Sequence, residues 1–330
     1  MSASLPLSIV VVTHFGGALL RECVAAIARQ LKGGDELLVV VSNEPGGADL
    51  EGLDEGPWEV LELGENPGFA GAANRGIERC SGVGVLLLND DTRPCAGFLE
   101  FAREALEEPG IYQPRILLAD GSGRLDNTGH GLFPDGFNWA LGREDMDGEA
   151  YDEAGEVGAV SGAAMIVHRE VFDAVGLFDE AFNAFGEDVD LSLRARRRGY
   201  PLRYLPEARI EHHLGASYGR YGARKVFLIE RNRVRAAVRS MPMSLVATMP
   251  LWTVLRLSGL AVAGAAGRGW SGRVPKRAQL AALAGVIAGA RHLPDAFQKR
   301  SADAAGWVEG ERSMLEMILN HRVRVRDLLR

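Results

Sequence analysis

The chain has 330 residues, 47% hydrophobic and 25% charged, an ordinary globular balance with room for one large domain plus an appendage, or for two domains. Its 44 acids against 37 Lys and Arg give a formal net charge of −7, which excludes a general nucleic-acid binder. Three cysteines, Cys23, Cys80 and Cys95, show neither metal-ligand spacing nor a pairing pattern, so a reducing compartment is expected.

Met1 is followed by a short polar lead with no basic n-region, which reads as no signal peptide and a cytoplasmic location. Strand-like runs follow at Leu7–Thr13, Glu36–Ser42, Trp58–Leu63 and Val83–Leu88, apolar on both faces as buried parallel strands are. Gly17–Gln30 carries Leu19, Leu20, Cys23, Val24 and Ile27 at helical spacing, and Pro67–Cys80 opens on a helix-start proline. This alternation predicts a parallel sheet with right-handed crossovers. Leu117–Gly148 is rich in Gly, Asp and Asn and reads as hairpins or an ordered loop, and Val157–Val167 returns to strand-like sequence. A helix is expected from Glu187 to Arg198, stopped by Gly199, with short strands at Pro201–Leu205 and Ala208–His213 and helices from Tyr221 onward. Residues Ser240 to Gly267 are mostly apolar, but the uncharged run before Arg256 is too short to span hydrocarbon, so a monotopic or buried helix pair is expected.

Two acidic clusters carry the chemistry. Asn89-Asp90-Asp91-Thr92 follows the fourth strand, where ligands bind in open α/β sheets. Carboxylates there suit Mg²⁺ or Mn²⁺ and, through it, a diphosphate. The bland reading is a solvated turn. Glu187-Asp188-Val189-Asp190 opens a helix that ends in Arg194, Arg196, Arg197 and Arg198, so dipole matching explains it unaided. The functional reading makes Asp188 a general base toward a hydroxyl. Asn66-Pro67-Gly68 is both a plausible N-cap and a place for backbone to approach a ligand. His212-His213 offers a metal ligand. The seven Lys and Arg of Tyr218–Arg239 fit phosphates, an anionic acceptor, a membrane surface or a solvated helix face.

Taken in order, these pieces resemble the family 2 glycosyltransferases, and among them the bacterial rhamnosyltransferase-like branch. The matching segments are Ser8-Ile9-Val10-Val11-Val12-Thr13, Asn66-Pro67-Gly68-Phe69-Ala70-Gly71-Ala72-Ala73-Asn74-Arg75-Gly76 and Leu86-Leu87-Leu88-Asn89-Asp90-Asp91. Ser161-Gly162-Ala163-Ala164-Met165, Val175-Gly176-Leu177-Phe178-Asp179-Glu180, Gly186-Glu187-Asp188-Val189-Asp190-Leu191 and His212-His213-Leu214-Gly215-Ala216-Ser217 complete the set. The resemblance spans Leu7 to Arg239. It implies a GT-A fold, a Rossmann-like mixed α/β sheet flanked by helices, over residues 1–239, with a helical extension over 240–330.

The resemblance further implies inverting transfer from a dTDP- or UDP-sugar, L-rhamnose first, to a glycan or lipid-linked saccharide in polysaccharide or cell-wall synthesis, with Mg²⁺ or Mn²⁺ as cofactor. Carried over by position, Asp91 and His212 bind the metal, with His213 as the alternative histidine. Asp188 is the base, and Glu187 and Asp190 orient it or contact the acceptor. Thr13, Ser42, Asn43, Asn66, Gly68, Asn74 and Asp90 lie around the nucleotide. Ser42-Asn43 stands where relatives carry Asp-Asn, so the base, uridine or thymidine, stays open. A homodimer and a peripheral contact of the C-terminal helices with the inner face of the plasma membrane are the expected associations.

Two other classes compete. A dehydrogenase needs Gly-x-Gly-x-x-Gly after the first strand, and Thr13-His14-Phe15-Gly16-Gly17 does not supply it. A nucleotidyltransferase needs a basic glycine-rich loop there, also absent. A non-catalytic sugar-nucleotide binder would make no use of Asp91, Asp188 and His212 together.

Overall fold

The structure, a computed structural model, describes residues 5–213, 222–265, 276–324 and 327. The expected motif residues Leu214–Ser217 and the start of the basic segment, Tyr218–Tyr221, lie outside them.

The first half runs β1 (Leu7–Thr13), α1 (Ala18–Ala28), β2 (Glu36–Val41), β3 (Glu59–Glu62), α2 (Gly68–Arg79), β4 (Gly84–Asn89), β5 (Thr92–Pro94), α3 (Phe98–Ala105), β6 (Ile111–Leu118), β7 (Leu125–Asn127), β8 (His130–Leu132) and β9 (Asn138–Ala140). The second half adds β10 (Gly155–Glu156), β11 (Ala164–His168), α4 (Arg169–Val175), α5 (Glu187–Arg197), β12 (Leu202–His212), α6 (Ala223–Ser240), α7 (Met243–Ala265), α8 (Lys276–Arg291), α9 (Leu293–Ala304) and α10 (Glu311–Asn320).

The main sheet has the order β10-β12-β6-β11-β4-β1-β2-β3, with β5 on β12 and β7 on β6. Strands β4, β1, β2 and β3 are mutually parallel, as the alternating pattern predicts. β11 runs antiparallel between β4 and β6, which makes the sheet mixed. β1 is buried throughout, and its period of two sorts its side chains. Ile9 and Val11 pack with Leu20, Val24 and Ile27 of α1, while Val10 and Val12 pack with Ala70, Ala73 and Ile77 of α2. The small residues of α2 serve this packing: a Cβ at Gly76 would stand 2.4 Å from Val10 Cγ1.

Two expectations change. Of Val157–Val167 only Ala164–Val167 is strand, the start of β11, because the Ser161-Gly162-Ala163 turn breaks the run just before it. Pro201–Leu205 and Ala208–His213 are one strand, β12, with a register shift between Leu205 and Arg209. Pro206 lies inside that shift, where its missing N–H costs no ladder bond.

The later helices share a core with the sheet half: Leu132, Ala159, Val189 and Leu193 pack with Val234, Met249, Ala296, Met314 and Ile318. α6 is the axis of this layer, contacting α5, α7, α8 and α9. Far from being a solvated face, α6 buries Arg233 and Arg235. α8 lies against it along a stripe of small residues, Ala278, Ala282, Gly285 and Gly289. A Cβ at Gly285 would stand 2.5 Å from the Phe227 carbonyl oxygen, and one at Gly289 2.7 Å from that of Arg231.

Candidate active site

A cleft of about 940 Å³ opens at the carboxyl ends of β1 and β4 and extends to α6, α7 and α8. Its near end is the turn after β4. Burial pushes the Asp90 carboxyl up to about 6, opposed by the hydrogen bond from the Thr13 hydroxyl (2.5 Å) and reinforced by the Asp91 charge. The Ser42 hydroxyl donates to Asn66 Oδ1 (3.1 Å), which also accepts from Gly68 N–H (2.9 Å) and so opens α2. Gly68 has φ +80, and a Cβ there would strike Asn183.

Asp91 is buried, and its Oδ1 has no hydrogen-bond partner. His212 Nε2 lies 3.3 Å from that oxygen, and Asp126 Oδ2 is 2.8 Å from Nδ1 on the other side of the ring. Burial alone would lower the His212 pKa, but the two carboxylates outweigh it and push it up to about 9. His213, one step along the chain, does not line the cleft, since successive strand residues face opposite ways. Its backbone N–H instead donates to the Asp91 carbonyl (2.9 Å), tying the end of β12 to the acidic turn.

The second acidic cluster reaches the first through one turn. Gly162 N–H donates to Asp188 Oδ2 (2.8 Å), while the adjacent Ala163 carbonyl accepts from Asn89 N–H (3.0 Å) at the end of β4. Val189 N–H occupies the other Asp188 oxygen (2.8 Å), so the carboxylate's orientation is fixed on both sides. Glu187 is buried in the same cleft with Oε2 unpartnered, and burial, aided by the Asp188 charge, raises its pKa to about 8. The loop ahead of α5 carries two non-glycine residues with positive φ, Asn183 and Phe185, both at 66°. Asn232 of α6 braces it: Nδ2 reaches the carbonyls of Phe182, Ala184 and Phe185 at 3.0, 2.9 and 2.6 Å.

The structure brings Thr13, Ser42, Asn66, Gly68, Asp90, Asp91, Glu187, Asp188 and His212 to one cleft. It places three other candidates elsewhere. Asp190 is fully buried between Arg194 Nε (2.8 Å) and Arg239 Nη1 (3.2 Å), in an ion cluster beneath α5. Asn74 exchanges two hydrogen bonds with the Phe178 backbone, and Asn43 bonds the carbonyls of His14 and Gly47. Neither lines the cleft.

Sequence reasoning missed the residues contributed by the glycine-rich segment. Asp126 orients His212, buried His130 lies between Asn127 and Asn138, and Phe137 and Trp139 wall the cleft. For Asp126 and His130 a polar side chain on a three-residue strand was the one signal. Also unforeseen is the floor under α7, where Arg256 bonds Asp135 Oδ2 (2.9 Å) and both oxygens of Glu230 (2.7 and 2.8 Å), beside Arg233.

The profile described as "Glycosyltransferase like family 2" matches residues 6–237. An uncharacterized protein of Mycobacterium tuberculosis is 32% identical over 171 residues, 48% of this chain and 59% of that protein. The chain thus spans about three-fifths of the length of that curated relative. The N-acetylglucosaminyl-diphospho-decaprenol L-rhamnosyltransferase of the same species is 42% identical over 64 residues, 19% of this chain and 21% of its own. Among solved structures, a mannosyltransferase from Pyrobaculum calidifontis in complex with GDP-Man and Mn²⁺ superposes with TM-score 0.53 at 16% identity, covering 92% of this chain and 86% of that one. At that identity the likeness speaks for the fold, which is GT-A.

Proposed function

The chain belongs to glycosyltransferase family 2, and on that premise we propose that it is an inverting hexosyltransferase, moving a sugar from a nucleoside-diphosphate donor to a hydroxyl of a glycan or lipid-linked saccharide. One observation carries the reading: Asp90, Asp91 and His212 share a single cleft with Glu187 and Asp188. The short match to a rhamnosyltransferase makes L-rhamnose the first sugar to try, as a dTDP- or UDP-sugar. The three free cysteines fit a reducing, cytoplasmic setting.

In this mechanism the acceptor hydroxyl lies against Asp188, which takes its proton as the oxygen attacks the anomeric carbon. The bond from that carbon to the diphosphate oxygen breaks on the opposite face, inverting the centre and releasing the nucleoside diphosphate. Glu187, held neutral by burial, leaves the negative charge at this point to Asp188 and offers its carboxyl to an acceptor hydroxyl. Asp90, Thr13, Ser42 and Asn66 bind the nucleotide side.

A divalent cation fits Asp91 and His212. The orphaned Asp91 Oδ1 faces an imidazole whose far nitrogen is fixed by Asp126, the arrangement that metal-bound histidines adopt. Among the described residues no three His, Cys, Asp or Glu side chains form a metal cage, so donor phosphate oxygens and water would complete the shell, as Mg²⁺ and Mn²⁺ sites permit. Held by Asp91 and His212, such a cation would supply positive charge to offset that of the leaving diphosphate. Because a ligating histidine must be neutral, affinity for Mn²⁺ rises as pH climbs toward about 9, where His212 gives up its proton.

The test is thermal stabilisation by a panel of nucleotide sugars, with and without Mn²⁺, on the native protein and Asp91→Ala. One donor at a hundredfold excess over its Kd stabilises the native protein by about 2.7 kcal/mol. That gain depends on Mn²⁺ and disappears in Asp91→Ala. Stabilisation indifferent to Mn²⁺ in both proteins removes the metal, and none by any donor removes the donor site.

A further inference from the structure

α7 is apolar nearly all round, and most of it faces outward rather than into the protein. Between Met243 and Val262 its one charged residue is Arg256, which is only 2% exposed and points at Asp135 and Glu230. Buried Thr253 also donates to Asp135 (3.1 Å). The outward side is Leu251, Val254, Leu255 and Val262, with Val254 62% and Val262 71% exposed. The stretch is long and apolar enough to cross a bilayer, yet its one charge is tied to Glu230 of α6 and Asp135. α8 repeats the arrangement. Its small residues face α6, while Leu280, Leu283 and Ile287 face out, Leu280 at 70% exposure.

Cations bracket the α8 face: Lys276, Arg277 and Arg291 are exposed at its two ends. Neither helix contains an acidic residue. A second copy seated on this face would bring these cations into apposition with no acids from the two helices to meet them; an anionic lipid surface supplies both the apolar layer and the counter-charge. The face also meets the cleft. Leu257, Leu260 and Ala261 of α7 and Leu283 of α8 line its far end, and Leu283 is itself half exposed.

We propose that α7 and α8 seat the protein in the plane of an anionic lipid surface, so that the far end of the cleft opens among the headgroups and receives a lipid-linked acceptor from the side. The acceptor part rests on the glycosyl-transfer reading, whereas the surface contact does not.

Flotation of the full chain with phosphatidylglycerol–phosphatidylcholine vesicles and with pure phosphatidylcholine tests the contact. The native protein floats with the anionic vesicles and is released by salt. The pair Val254→Glu and Leu280→Glu, both outside the cleft lining, lowers partitioning by about tenfold or more while the melting temperature and donor stabilisation stay native. Lys276→Glu weakens binding to anionic vesicles about fivefold and leaves the neutral vesicles unaffected. Native protein left in the aqueous fraction with both vesicles overturns the proposal. So does a native dimer that the Glu pair converts to monomer, which would give the face to a second copy. Flotation without transfer to any polyprenyl-diphosphate-linked saccharide, when soluble glycans are glycosylated, overturns the acceptor half alone. Failure of every donor to stabilise the protein would sink the transfer reading and leave flotation unchanged.

Discussion

At the end of the cleft formed by β1 and β4, the polar groups project from the strand or turn that terminates beside them, as Thr13, Asp90 and Asp91 do. At the end formed by α6, α7 and α8, the polar groups owe their positions to distant partners: Arg256 bonds Asp135 across 121 residues, and Arg233 bonds the Asp135 carbonyl across 98. The first end is chemistry placed by local topology. The second is a wall assembled by tertiary packing, closed by four buried charges that sum to zero. Asp188 stands at the junction, on a helix start that the sheet supports through Gly162 and that α6 supports through Asn232.

Four changes break or sharpen that contrast. Asp188→Asn is expected to have the largest effect, lowering turnover by about 10² to 10⁴-fold while donor binding stays within a few-fold, read from steady-state kinetics and donor titration. Near-native turnover would remove Asp188 as the base. Next, Arg256→Met strands Asp135 and Glu230 with Arg233 alone and costs about 3–5 kcal/mol in denaturant unfolding. Arg256→Lys recovers part of it, because a lysine cannot bond two carboxylates through a planar fork. A loss below about 1 kcal/mol would show that the helical wall does not depend on this network.

Asn232→Ala removes the brace from the Phe182–Phe185 carbonyls and costs about 1–3 kcal/mol of stability. Its sharper signature is a kcat several-fold lower, since the loop delivers Asp188. The last effect is one of pH. The folded-state pKa of Glu187, about 8, lies above its ordinary 4.5, so the folded state holds a proton that the unfolded chain gives up. Stability contributed by that proton is complete below 4.5 and is lost as pH rises to about 8. Glu187→Gln flattens this slope in denaturation midpoints measured from pH 4.5 to 8.

The contrast also governs what the sequence revealed. The parallel strands β1, β2 and β4 were legible because each holds a continuous apolar run, and the acidic turn because it ends one; β3, Glu59-Val60-Leu61-Glu62, has only a two-residue apolar centre. The mixed sheet followed from the motif order rather than from periodicity, since β11, wedged antiparallel between β4 and β6, is a five-residue run like any other. Asp126 was invisible for the opposite reason: β7 has three residues, too few for a pattern, and its meaning comes from His212, 86 positions later. Asp190 shows the converse case. It shares the motif of Asp188, but two residues on a helix turn the side chain by about 200°, from the cleft toward Arg194 and Arg239.

The two glycines that let α8 rest on α6 make the far end of the cleft a matter of spacing. A single methyl at Gly285 would meet the Phe227 carbonyl at 2.5 Å, so the seating of α8 on α6, within one turn of Leu283 in the cleft wall, tolerates no added bulk at that position.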